Sequence, residues 1–83
     1  MAEKEIGEVS TYFTHVEVTA IKLKNKLKVG DRIHIKGHTT DFEQFVDSMQ
    51  IDKKEVKEAK KGDEIGIKTN ERTRPNDKVF LIS

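Results

Sequence analysis

Apolar residues recur along much of this chain at every second position, the period of a strand with one face buried. Ile33 and Ile35, Ile65 and Ile67, and Val79 and Leu81 all follow it. Each pair comes just after a similar phrase: Lys28-Val29-Gly30-Asp31, Lys60-Lys61-Gly62-Asp63 and Arg74-Pro75-Asn76-Asp77. A type II turn accepts Pro at its second position and wants Gly or Asn at its third, where φ is positive. Val29, Lys61 and Pro75 fill the second slot, and Gly30, Gly62 and Asn76 the third. The pattern predicts strands launched by one repeated turn, with the aspartates as turn devices rather than catalytic or metal-binding groups.

Elsewhere the signals are less regular. A strand is predicted over residues 6–13, then a short connection at Thr14-His15. In the next strand Val16 and Val18 point one way and Ile21 and Leu23 the other, so the phase shift near Ala20 predicts a bulge. Asn25 marks a turn because it tolerates left-handed geometry. A strand over 32–36 and a polar loop over 37–41 follow. Residues 42–51 read as the longest strand, with Phe45, Met49 and Ile51 on one face, Val46 on the other, and a phase break near Phe45-Val46. Residues 52–61 contain strong helix formers, but only Val56 and Ala59 are apolar, too few to hold a helix to a core. An irregular stretch of up to one helical turn is expected there. Strands over 64–69 and 78–82, joined by a loop over 70–75, complete the set. The fold class expected is all-β: a small, closed, six-stranded antiparallel, Greek-key-like β-barrel over 6–83, with a flexible lead at 1–5. Closure would remove exposed sheet edges.

Composition narrows the chemistry. The chain has 83 residues, enough for one domain, and no cysteine, so neither disulfides nor thiolate metal sites support it. No apolar run is long enough to span a membrane, and Met1-Ala2-Glu3-Lys4-Glu5 lacks a signal-peptide layout, so a cytoplasmic protein with no membrane partner is expected. Phosphate-binding loop and nucleophile-elbow motifs are missing, and no catalysis, nucleotide or other cofactor is expected. His34 and His38 are four apart but straddle a strand end and Gly37. With neither a third histidine nor a nearby acidic pair to complete a ligand set, no metal site is expected. Alternation with Ile33 and Ile35 points His34 toward solvent.

Charge is balanced overall at +1, yet unevenly spread. Lys22, Lys24, Lys26, Lys28, Arg32 and Lys36 face one acid, Asp31, between residues 22 and 37. If extended, the lysines would line one side of a hairpin, with Arg32 and Lys36 on the returning strand, and could track a phosphate backbone. Arg72 and Arg74 are a second candidate contact. Aromatic residues do not interleave with the lysines, so base stacking has no support. The competing reading is edge protection by lysine on a solvated face.

The order of these motifs resembles a known family. Gly7-Glu8-Val9 and Val16-Glu17-Val18 come first, followed by Leu27-Lys28-Val29-Gly30-Asp31-Arg32-Ile33. Val46-Asp47-Ser48-Met49-Gln50-Ile51 and Val56 through Gly62-Asp63-Glu64-Ile65-Gly66-Ile67 come after them. Over about residues 6–82 this is similar to the β-barrel second domain of translational GTPases such as elongation factor Tu and bacterial initiation factor Two. The resemblance implies a translation-protein barrel that helps hold tRNA or the ribosome beside a GTPase domain. The function expected is therefore a stand-alone, non-catalytic translation-factor-like module that binds tRNA, ribosomal RNA or a ribonucleoprotein through the eight basic residues named above. The alternative is a protein-interaction module docking on a separately encoded GTPase or enzyme. An exposed apolar patch built from Phe80 with Ile82 and from Phe13 with Val9 would mark it.

Overall fold

The computed structural model describes residues 2–82; Met1 and Ser83, the ends of the expected lead and domain, lie outside the described residues. Ten strands and no helix make up the described chain: β1 (Glu3–Phe13), β2 (Val18–Leu23), β3 (Leu27–Lys28), β4 (Arg32–Lys36), β5 (Asp41–Phe45), β6 (Met49–Ile51), β7 (Lys54–Val56), β8 (Glu58–Ala59), β9 (Glu64–Lys68) and β10 (Lys78–Ile82). Eight form one antiparallel sheet in the order β5-β4-β10-β1-β2-β9-β6-β7, and β3 pairs with β8 in a small ribbon. Residues 3–5, expected as part of a flexible lead, lie in β1 and pair with β10 through Glu3↔Ile82.

The all-β class is as expected, but the sheet does not close into a barrel. β5 and β7 stand at its two ends with no ladder between them. A turn occupies the gap instead. The N–H of Val46, just past β5, donates to the Asp31 carbonyl, and the Val46 carbonyl accepts from the Gly30 N–H, both at 2.8 Å. The Val29 N–H reaches the Lys57 carbonyl beyond β7 at 2.9 Å. The Gln44 side chain adds a tie to the loop after β9, donating to the Lys68 carbonyl at 3.0 Å and accepting from the Asn70 N–H at 2.8 Å. These bonds satisfy backbone groups that an open edge would leave to solvent.

All three repeated turns form. Gly30, Gly62 and Asn76 have φ of 98°, 94° and 76°. Asp31, Asp63 and Asp77 donate their backbone N–H to the carbonyls of Lys28, Lys60 and Arg74 at 3.1, 3.0 and 3.1 Å. Each aspartate carboxylate then accepts the backbone N–H of the turn's first residue, at 3.0, 3.0 and 2.8 Å. Aspartate is thus used three times as a local clasp.

Three expectations change. The extra residue near Ala20 lies on the partner strand: register passes from Val9↔Ile21 to Thr11↔Ala20, leaving Ser10 as the bulge. β2 itself alternates without a break, with Thr19, Ile21 and Leu23 buried. The predicted long strand over 42–51 is two strands, because Val46 turns in to 1% exposure while Phe45 stays 59% exposed. The helix formers of 52–61 build a hairpin and β8 instead. Asp52 and Lys53 have φ of 52° and 67°, the pair of positive values that a two-residue primed turn requires. Val56 half-buries and Ala59 buries, a pattern that two short strands satisfy and a helix with two apolar residues does not.

The core is aliphatic, drawn from the inward positions of the alternation; Ile6, Ile21, Leu27, Ile33, Ile35, Met49 and Val79 have no exposed surface. At one side it contains a short polar chain. Thr69 donates its hydroxyl to the Glu71 carbonyl at 2.9 Å, so it accepts from Thr19, and Thr19 in turn accepts from Thr73, at 2.9 and 3.0 Å. This fixes the loop before the third repeated turn against β2.

Candidate functional site

The bulge at Ser10 sets up the most distinctive surface. Before it, Val9 points inward opposite Ile21; after it, Tyr12 faces buried Thr19, and Phe13 lies beside Val18 on the outer face. One extra residue thus reverses which parity of β1 faces the core. Phe13 is 51% exposed and Val16, in the turn that follows, 55%. Together with Val18, Ala20 and Ile51 they wall an open hollow of about 860 Å³. Its floor is shallow because small residues meet there: Ala20 pairs with Gly66, and Gly66 with Gln50. A Cβ on Gly66 would come within 3.2 Å of a Val18 methyl. Asp52, Lys53, Asp63 and Glu64 make the rim charged, with acids in excess.

At the other end of the strand order, the outer face carries a titratable cluster. His34 on β4 places Nδ1 2.9 Å from Glu3 Oε1 and Nε2 2.5 Å from Asp41 Oδ1. Its ring lies 6.2 Å from that of Phe80, and its side chain is only 13% exposed. Contrary to the expectation of a solvent-facing ring, His34 is held on both sides. Asp41 first, and Glu3 second, hold its pKa above the ordinary histidine value, and His34 in turn draws the Asp41 carboxyl below its usual range. Glu43 lies opposite His34 in the β4–β5 register and is bonded to Arg32 at 2.6 Å; Arg32 also sits over the Phe45 ring, 5.9 Å from its centroid. His38 is exposed in the following loop.

The basic residues do not form the expected hairpin. β2 and β4 are separated in the sheet by β1 and β10, so Lys22 and Lys24 are not beside Arg32 and Lys36. Several are also neutralised locally. Lys24 bonds Glu5 at 2.8 Å and lies 3.8 Å from Glu8, Lys26 lies 3.9 Å from Glu58, and Arg32 is taken by Glu43. Lys24 holds the Glu5 carboxyl below its usual range, and Lys78 does the same for Glu8. Lys22 stands between Glu8 and Glu64 in register, Lys36 opposite Asp41, and Lys28 beside the first turn. Arg72 and Arg74 are exposed in the loop before β10. Acids from distant strands, invisible in a linear count, thus meet the basic run. The expected apolar patch is also relocated: Val9 is buried and Phe80 and Ile82 are half-buried, whereas Phe13 finds its neighbours in Val16, Val18 and Ile51.

No protein-family model matches the chain. Over 79 residues, 94% of its length, it is 46% identical to an uncharacterized protease of Methanocaldococcus jannaschii, of which that stretch is 19%. Over 77 residues, 90% of this chain, it is 32% identical to a collagenase of Porphyromonas gingivalis, covering 21% of that protein. The chain therefore spans about a fifth of the length of the curated relatives it matches. Among solved structures it superposes on the C-terminal domain of a "Geobacillus thermoleovorans putative U32 peptidase" with a TM-score of 0.90 at 16% identity, covering 96% of this chain and 93% of that one. These findings overturn the resemblance to translational GTPases, and with it the translation-factor and RNA-binding reading. The Gly-Asp phrases that carried it are turn clasps, which an all-β chain of another lineage uses for the same geometric reason. In fold the chain is similar to that C-terminal domain, and in sequence it is similar to about a fifth of proteins named as a protease and a collagenase.

Proposed function

We propose that this chain is a non-catalytic accessory domain of a U32-type peptidase, docking on the peptidase's catalytic body through the hollow walled by Phe13, Val16, Val18 and Ile51. The observation that carries this reading is the 46% identity that runs through 94% of this chain yet touches only 19% of a protein named as a protease. The remaining four-fifths of such a protein is what the domain works beside. The hollow supplies a means: exposed apolar side chains cluster on one side, and the acid-rich rim fits an apolar ridge flanked by basic residues.

The test uses the Methanocaldococcus jannaschii relative with its matched segment removed, titrated with this chain by calorimetry. Saturable one-to-one binding is expected, and Phe13→Asp with Val16→Asp should abolish it while leaving the circular dichroism spectrum unchanged. Absence of binding by the unaltered chain, or equal binding by the double variant, would overturn the docking reading. Hydrolysis of gelatin by this chain alone would overturn the non-catalytic one.

A further inference from the structure

A separate cluster, far from the hollow in strand order, carries a second inference that does not depend on the docking reading. We propose that Glu3, His34 and Glu43 form a binding site for one divalent transition-metal ion of zinc's class, with Asp41 orienting the imidazole. The three residues come from β1, β4 and β5, and one ligand atom from each lies within 4.8 Å of the other two. A tetrahedral zinc site with bonds of about 2.0–2.1 Å sets its ligands roughly 3.3 Å apart. Closing that difference needs a small inward swing of Glu3 and Glu43, both 39% exposed at the side chain.

His34 has the carboxylate partner that a metal-ligating histidine uses. Histidines that bind metals give their second ring nitrogen to a carboxylate, which fixes tautomer and ring angle. Asp41 lies against Nε2 as such a carboxylate does, and Nδ1 faces Glu3. The 2.9 Å contact to Glu3 is a hydrogen bond while the ring carries both protons, and a metal ion would take the place of the Nδ1 proton. Glu43 stands across the strand pair to supply the third donor. Arg32 engages it through Oε1, so one carboxylate serves both the guanidinium and the ion. One imidazole and two carboxylates suit zinc or manganese better than calcium or copper, and three protein ligands leave a position open for water or a partner's group.

Zinc alone, titrated by calorimetry into chain first stripped with chelator, tests the site. One ion per chain is expected. His34→Gln and Glu3→Gln should each weaken binding at least tenfold, and Asp41→Asn about 10–100-fold, the effect of losing a carboxylate behind a ligating histidine. His38→Gln and His15→Gln, on exposed histidines outside the cluster, should change nothing. The expected companion signal is a shift of the His34 ring resonances in NMR at one equivalent of zinc. No saturable binding, unchanged affinity in His34→Gln with an intact fold, or loss of binding in His38→Gln or His15→Gln would overturn the proposal. Phe13→Asp with Val16→Asp, which tests the docking surface, should leave zinc binding as it is.

Discussion

Gly30 and Gly62 have left-handed backbones with open space where a Cβ would stand, so replacing either acts through conformation alone. Gly30→Ala and Gly62→Ala should each cost about 1–2 kcal/mol, read as a lower urea midpoint. Gly37 is different. A Cβ there would fall on the Asp77 carboxylate, which is buried and clasped to the Arg74 N–H. Gly37→Ala should therefore lower the midpoint more than either turn variant, although Gly37 has an ordinary φ. His34 supplies a pH dependence. Its folded pKa is raised by Asp41 and Glu3, so its contribution is complete below the ordinary value of 6.5 and lost as pH rises through the folded value. The Asp41 pKa is lowered, so its contribution is complete above 3.8 and lost as pH falls through the folded value. In metal-free protein the urea midpoint should be higher at about pH 5.5 than at about pH 8.5, a window set by ordinary histidine titration. His34→Gln should remove most of that difference.

At the scale of elements, the polar chain behind β2 ties a strand to a loop. Thr19→Val removes both the donor to Thr69 and the acceptor for Thr73 while keeping the side chain's shape. Leaving buried hydroxyls short of partners should cost about 1–3 kcal/mol. The loss should be concentrated in the loop over 69–77, where amide exchange would rise first. The sequence shows three threonines there but no reason to join them; they meet because β2 pairs with β9 and the loop folds back across both. The hairpin at Asp52-Lys53 teaches the reverse lesson. Strong helix formers surround it, yet with so few apolar positions no helix forms, and the expected irregular stretch is a hairpin followed by β8.

For the whole molecule, the order of the sheet predicts where it opens. β4, β10, β1, β2, β9 and β6 each have a partner on both sides, while β5 and β7 are terminal. Native-state hydrogen exchange should find the slowest amides in β1 and β2 and the fastest strand amides in β7. β5 should be slower than β7, because Gln44 and the bonds to Val46 brace it. Equal protection at the two ends would mean that a ladder closes the sheet in solution.

The sequence by itself determined the strands that begin at Gly-Asp or Asn-Asp turns, their inward residues and the all-β class. All of these follow from local rules: φ preference at Gly30, Gly62 and Asn76, the aspartate clasp, and the two-residue period. Only tertiary structure decided what the surface offers. A bulge at Ser10 turned Phe13 outward, β1 and β10 came between β2 and β4 and divided the basic run, and Glu3 was carried across to His34. Each outcome rests on pairing between residues far apart in the chain. There one extra residue reverses a face, and the order of strands rather than of residues decides which charges meet.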